Sequence, residues 1–583
     1  MKRVSVIPVA ALLALIAGAV VSSASSGDVR VSVGSPPTPF SQNKQNEPTI
    51  TVDASRPNIL VAGSNDEIDM EDCNAGNPTT CPFTHGVGVS GVYFSFDSGA
   101  TWTQPTYRGW TARQCYNPTT PGYTCTPAVG PIGTLPGYLE AGLVSDGDPA
   151  VAFGPRKGAN GFSWANGSRL YYANLTSNFA ATRSEEAFMG FEAIAVSRTD
   201  DVAAAAAGGP SGQAAWKSPV LVSHQSTTTF SDKEQIWADN AASSSFFGTA
   251  YVCWADFVGQ EKGRAAPAQL KVGVSTDGGD TWTEHPIGAA ANNGQRNPVD
   301  GCTIRTDSSG TAYVFGIGTV SSAGHASFEL MSTSTNGGAN WSSPTPVAGP
   351  VTQPGIFDPV LGRPTIDGIA GARSDLAPAP SVDIANGAPT GAGATNRIVM
   401  SYVSGTIDSP HVYFTESGDG GANWTAPRAI ETGTHVVGTQ DRGYYTAPAI
   451  SPDGKNVYVV YNAFTTPYQT DTSSPRNLVG VMLHATTTAA GTGAFTETNR
   501  SVPGDARSSS QNNLVGEFLG DYVYATATRS YGAAVWNDSR NGGDCPKIDA
   551  WRLSLRTGTT VTRPSPEMDC PANFGNSDIY GTS

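Results

Sequence analysis

Short runs in which apolar residues alternate with small or polar ones recur along the whole sequence, separated by clusters of Gly, Pro, Asn, Asp, Ser and Thr. A period of two with such punctuation predicts β-strands joined by turns, and no long stretch carries the period of an amphipathic helix. The runs come in pairs, read as the first and second strands of a repeated unit. Residues 46–53 pair with 59–66, and 147–153 with 170–174. Next come 232–239 with 250–256, 298–304 with 312–316, and 363–367 with 397–402. The last pairs are 442–450 with 457–462, and 516–526 with 532–538, which makes seven units.

A second pattern falls after the third run of several units. Ser95-Phe-Asp97-Ser-Gly99-Ala-Thr-Trp102, Ser275-Thr-Asp277-Gly-Gly279-Asp-Thr-Trp282 and Ser417-Gly-Asp419-Gly-Gly421-Ala-Asn-Trp424 share the form Ser-x-Asp-x-Gly-x-x-Trp. Ser334-Thr-Asn336-Gly-Gly338-Ala-Asn-Trp341 has Asn in place of Asp. Such a segment predicts a tight turn. The Asp or Asn side chain accepts backbone N–H groups, the Gly takes a φ closed to a Cβ, and the Trp packs between sheets. The second unit carries a broken version, Ala195–Asp200, then an Ala/Gly-rich insert and Trp216, and the last two units lack it.

A four-stranded sheet repeated radially is a β-propeller, so the expected fold is all-β, one propeller with these Asp turns on one face. The count favours seven blades, with six or eight as alternatives. The run Val29–Val33 is expected to complete the last blade beside Asp549–Leu555. Residues 1–24 form a signal peptide, 25–45 an N-terminal segment with closing strand and linker, and 46–583 the propeller.

Composition agrees with many short strands: 67 Gly, 41 Pro and only 14% charged residues. A net charge of −15 argues against nucleic acid and against an anionic membrane surface. The start, Met1-Lys-Arg, an apolar run to Val21 and small residues to Ala24, reads as a secretory signal, with an uncleaved anchor as the alternative. No second span is long enough to cross a bilayer, so an exported, extracellular protein without membrane insertion, acting as a monomer, is expected. Eight Cys suit that compartment. Proximity suggests Cys73–Cys81, Cys115–Cys125 and Cys545–Cys570, leaving Cys253–Cys302 to join adjacent units.

The Asp-containing turns resemble the Asp-boxes, or BNR repeats, of secreted bacterial sialidase-like propellers. The resemblance implies that Asp97, Asp277, Asn336 and Asp419 are structural and lie away from any active site. Function then belongs where first strands begin and second strands end. Those positions carry Glu47, Asp148, Asp232, Asp300, Arg363, Arg442, Glu517 and Asp521, together with Asn65, Asp66, Asn174, Asp256, Asn462, Asn537 and Asp538. Carboxylates with arginines suit a glycan, because hydrolysis needs an acid and a nucleophile or base on facing sides of the bond. Sialidases bind a substrate carboxylate with three arginines and use a Tyr–Glu nucleophile pair and an Asp acid. That pattern suggests Arg363, Arg442 and Arg296 for binding, with Glu47, Asp300, Asp256 and Asp538 around them. Tyr444, Tyr445 or Tyr522 with Glu517 would be the nucleophile pair, and Asp148 or Asp232 the acid. Two departures stand out. The family's aromatic-Arg-Ile-Pro motif is replaced by Asn46-Glu47-Pro48, and its enzymes have six blades.

The expected activity is an exo-glycosidase or related glycan-cleaving reaction with a glycan or glycoconjugate as partner and no required cofactor. The alternative is a non-catalytic propeller that binds a glycan or cell-surface partner. The acidic stretch Asn65–Cys73 offers Asp66, Asp69 and Glu71 as ligands for a structural Ca²⁺, with a solvated acidic loop as the alternative.

Overall fold

The computed structural model describes residues 27–73, 81, 84–116, 125–179, 191–226, 228–258, 268–291, 298–433 and 441–583. The signal segment lies outside them, and so does Arg296. The chain forms seven antiparallel sheets whose innermost strands are Gln45–Val52, Leu143–Gly158, Thr229–Ala238, Pro298–Thr306, Ser381–Ile384, Arg442–Ile450 and Tyr524–Ala527. Each inner strand packs against the next, and the last packs against the first, so the ring closes as a seven-bladed propeller. Apolar faces such as Val61, Phe94, Val151 and Tyr172 are buried between neighbouring blades.

Closure differs from the sequence expectation. Val29–Arg30 does complete blade seven, but it pairs with Tyr580 and Gly581 on strand Asp578–Thr582. The stretch 549–555 belongs instead to the helix Pro546–Thr557. Its sequence alternates like a strand, yet Ile548, Trp551 and Arg552 are buried while Leu553 and Leu555 are exposed, which is helical spacing. The inner strand of blade five is also displaced. Arg363–Thr365 pairs with Ile356–Asp358 in a separate hairpin, and Ser381–Ile384 lines the axis. In blade two the broken turn holds two short helices, Val202–Ala207 and Gly209–Ala214.

The four Asp turns follow the third strands Ser90–Ser95, Ala268–Ser275, Ala326–Ser334 and Ser409–Ser417. Asp277 Oδ1 accepts the N–H groups of Asp280 and Thr281 at 3.0 Å, and Oδ2 accepts the Thr281 hydroxyl at 2.6 Å. Asp97 and Asp419 repeat the arrangement. Gly279, at φ +85°, lies so close to Arg198 and Tyr171 that a Cβ would meet them at 2.8 and 3.2 Å. In an antiparallel blade, third strands end where first strands end. The turns therefore occupy the face opposite the starts of the inner strands.

All four expected disulfides form, and Cys253–Cys302 ties blade three to blade four. No helix among the described residues is long and apolar enough to cross a membrane.

Candidate active site at the propeller mouth

One backbone irregularity recurs where the inner strands begin. In blades one, two, three, four and six the pairing with the second strand skips between Asn46 and Thr49, Gly147 and Ala150, Asp232 and Gln235, Asp300 and Thr303, and Gly443 and Thr446. Two residues thus face one, which is a β-bulge. The first extra residue is left-handed in four of these: Glu47 at φ 57°, Asp148 at 51°, Lys233 at 60° and Gly301 at 62°. A non-glycine residue there costs on the order of 1 kcal/mol, and repeated strain of this kind marks sites where side-chain aim matters.

The bulges bring charged groups from several blades together. Lys233 Nζ lies 2.7 Å from Asp148, 3.1 Å from Asp521 and 3.7 Å from Asp232. Arg373 grips Asp521 through Nε at 2.7 Å and Nη2 at 2.5 Å, and Nη2 reaches Glu47 at 3.3 Å. Asn65 donates to Glu47 at 2.6 Å and accepts the Asp148 N–H at 2.6 Å. The Tyr445 hydroxyl donates to Asp521 at 3.1 Å. Lys233, Asp521, Tyr445 and Tyr522 line a small cavity. The guanidinium of Arg373 also lies 4.6 Å over the Phe518 ring.

These surroundings push the acids apart. Burial raises Asp148, but Lys233 more than offsets it and holds the carboxyl at about 2. Burial raises Asp232 to about 7, with Asp148 and Asp300 adding to the effect against Lys233. Asp300 is raised by burial to about 6. Asp521, although buried, is held well below the usual carboxylate range by Arg373 and Lys233. Burial, then the neighbouring Asp148, pushes Glu47 well above the usual carboxylate range. The site thus combines ionised carboxylates with protonatable ones, the separation that acid–base chemistry needs. Asp232 keeps 15% of its side chain open to solvent, more than Asp148 or Asp521.

Lys233, Glu234 and Arg373 are absent from the sequence reading. Lys233 and Glu234 occupy the bulge positions of blade three, and alignment with Glu47-Pro48 and Asp148-Pro149 would have exposed them. Glu234 is buried with both carboxyl oxygens lacking a hydrogen-bond partner, and burial pushes it well above the usual carboxylate range. Arg373 comes from the segment ahead of blade five, where no strand pattern announces it.

Of the other expected residues, Tyr445, Tyr522 and Arg363, whose charge acts on Asp521, border the mouth, and the rest lie elsewhere. Glu517 is buried in an ion pair with Arg476, with Asp367 beside them. Arg442 gives its guanidinium to the carbonyls of Ile407, Thr466 and Ile366. Arg363 pairs with Asp375 at 3.2 Å, about a third exposed. Asp256 binds Lys271 at 2.9 Å, and Asp538 binds Arg540 at 2.7 Å. Tyr522 lies under Lys233 at 5.8 Å. Burial and Asp521 push the Tyr445 phenol up, which keeps it protonated.

The acidic stretch does not gather into a cage. Asp66 accepts from Ser35, Gln45, Tyr93 and Gln104, while Asp69 accepts from Arg113, Gly133 and Thr134. Glu71 is buried and raised to about 7. No group of three metal-ligating side chains is arranged to hold an ion among the described residues.

A larger cavity of about 200 Å³ lies further down the axis, towards the face of the Asp turns, with Trp237, Arg305, Asp383 and Phe153 among its walls. The hydrogen bond from Gln235 to Tyr524 separates it from the charged mouth.

Seven blades, Asp turns on one face and a charged mouth on the other complete the pattern. This chain is similar to sialidase-like propellers. A Hadza microbial sialidase, Hz136, aligns over 72% of this chain and 63% of its own, with 14% identity and a TM-score of 0.38. The intramolecular trans-sialidase from Ruminococcus gnavus aligns over 74% of this chain and 93% of its own, with 11% identity and a TM-score of 0.37. The α-L-arabinofuranosidase Arb93A from Fusarium graminearum aligns over 67% and 88%, with 13% identity and a TM-score of 0.36. No protein-family model matches the sequence, and no curated protein does.

Proposed function

We propose that this protein is an exported glycoside hydrolase that works at the propeller mouth. The observation that carries the proposal is the convergence of Asp148, Asp232 and Asp521 on the single ammonium of Lys233. Asp232, protonatable near neutral pH and partly open, is the general acid that protonates the leaving oxygen. Asp148, ionised above about pH 2, is the base or nucleophile. Lys233 and Arg373 hold the carboxylates apart in charge state and position. Tyr445, kept protonated against Asp521, serves as a hydrogen-bond donor to substrate or carboxylate. Arg363, exposed at a third of its side chain, is the group left to meet an anionic or polar sugar substituent.

The test is hydrolysis of a panel of aryl glycosides by the wild-type protein and by Asp148→Asn and Asp232→Asn. Turnover of at least one glycoside, lowered about 10²-fold or more in each variant, is expected. Binding of glycans without turnover of any of them would favour the non-catalytic alternative.

A further inference from the structure

A second cluster, outside the mouth, has the arrangement of a nucleophile, a base and an orienting acid. Ser409 Oγ lies 2.7 Å from His411 Nε2, and the opposite ring nitrogen, Nδ1, is hydrogen-bonded to Glu431 Oε1. Ser409 is exposed at the tip of the hairpin joining the second and third strands of blade five, and Glu431 is almost fully buried. We infer that Ser409, His411 and Glu431 form a serine hydrolase triad that cleaves carboxylic esters.

The chemistry follows from the partners. A hydroxyl alone is a weak nucleophile, and it is activated when an imidazole can take its proton while an acid fixes the ring and stabilises the imidazolium. Here Ser409 Oγ would attack the ester carbonyl carbon and pass its proton to His411 Nε2. The alkoxide leaves with that proton, giving an acyl-serine. Water, deprotonated by the same nitrogen, then releases the acid and restores Ser409. No other reactant is required.

The cluster is held rather than loosely exposed. Glu431 is fixed by a second bond, from the Val412 N–H to Oε2 at 3.0 Å, and the next backbone link, Ile430 N–H to Val412 carbonyl, is 2.9 Å. The imidazole meets the Tyr413 ring edge-on at 5.9 Å. The hairpin tip is pinned by Arg442, whose Nε and Nη2 reach the Ile407 carbonyl at 3.2 and 2.9 Å. This gives Arg442 a positioning role for the loop that carries Ser409. The hairpin tip lies on the same face as the mouth, because second strands end where first strands begin. Charges near the cluster include Asp408, which acts on Arg442, and Glu497, which accepts the hydroxyl of Thr432 beside Glu431 and pairs with Arg500.

The experiment uses the whole protein. A fluorophosphonate probe, followed by peptide mass spectrometry, should label Ser409, and p-nitrophenyl acetate should be hydrolysed. Ser409→Ala should abolish labelling and lower ester turnover at least 100-fold. Glu431→Gln should lower ester turnover, while Glu431→Asp, which keeps a carboxylate near His411 Nδ1, restores part of the rate. Absence of label on wild-type Ser409, or ester turnover unchanged in Ser409→Ala, would overturn the inference. Either result is independent of the aryl-glycoside assay, which reads the mouth.

Discussion

Asp232 and Lys233 are consecutive in the chain, yet the bulge between them turns one into an acid and the other into the hub of a carboxylate cluster. Lys233 is the cation that touches Asp148, Asp232 and Asp521 together, with only 12% of its side chain exposed. Removing a buried partner leaves uncompensated charge, which typically costs about 3–5 kcal/mol. Lys233→Met is therefore expected to lower stability by that order in urea unfolding, and a loss below about 1 kcal/mol would contradict the role given to it. The titration of these acids fixes the sign of the pH dependence. Asp232, raised to about 7, and Asp300, raised to about 6, bind protons more tightly when folded than the usual carboxylate near 4. Their contribution is present below pH 4 and is lost as pH rises to about 7, at up to about 1.4 kcal/mol per pH unit per group. Asp148, lowered to about 2, works the other way and loses its contribution as pH falls from about 4 to 2. Stability should accordingly be greater at pH 5 than at pH 8 and fall again below pH 4. Urea midpoints across that range provide the check.

At the scale of elements, the Asp turns were readable because their chemistry is local. Asp277 bonds to Thr281, four residues on, and Ser275 donates to Asp277 across two. Asp277→Ala removes those acceptors and should destabilise the protein by about 1 kcal/mol without changing turnover, because the turn lies on the face opposite the mouth. A loss of activity with unchanged stability would contradict that separation. Strand assignments held wherever alternation was strong and failed where two readings shared one pattern. Arg363–Asp367 has a strand-like run, but the axis is lined by Ser381–Ile384, a short segment after Pro-rich sequence. The run 551–555 alternates apolar and polar residues, and it is the burial of Trp551 and Arg552 beside exposed Leu553 and Leu555 that marks a helix, tied through Arg552 to the carbonyls of Leu514 and Gly516. Lys233 was legible only by aligning the bulge positions of successive blades, whereas Arg373 was illegible because its role arises from convergence across blades, 148 residues from its partner Asp521.

For the whole molecule, closure makes the blades interdependent. The second strand of blade three and the inner strand of blade four are also joined covalently by Cys253–Cys302, which spans 49 residues. Chain-entropy arguments value such a loop at about 4 kcal/mol, so Cys253→Ala/Cys302→Ala should lower the unfolding free energy by that order and preserve a single transition. Two separate transitions in calorimetry would contradict the interdependence. The ring also explains why so many carboxylates sit at one end: inner strands begin on that face, and the bulged starts of blades one to four carry Glu47, Asp148, Asp232 and Asp300 there. Catalysis at the mouth requires that this face act independently of the face of the Asp turns. The most direct measurement is the ratio of kcat/KM for Asp232→Asn to that for Asp277→Ala on the best glycoside substrate, with both variants confirmed folded. The predicted ratio is about 10⁻² or lower, with Asp277→Ala close to wild type. A ratio near one would contradict the assignment of catalysis to the mouth.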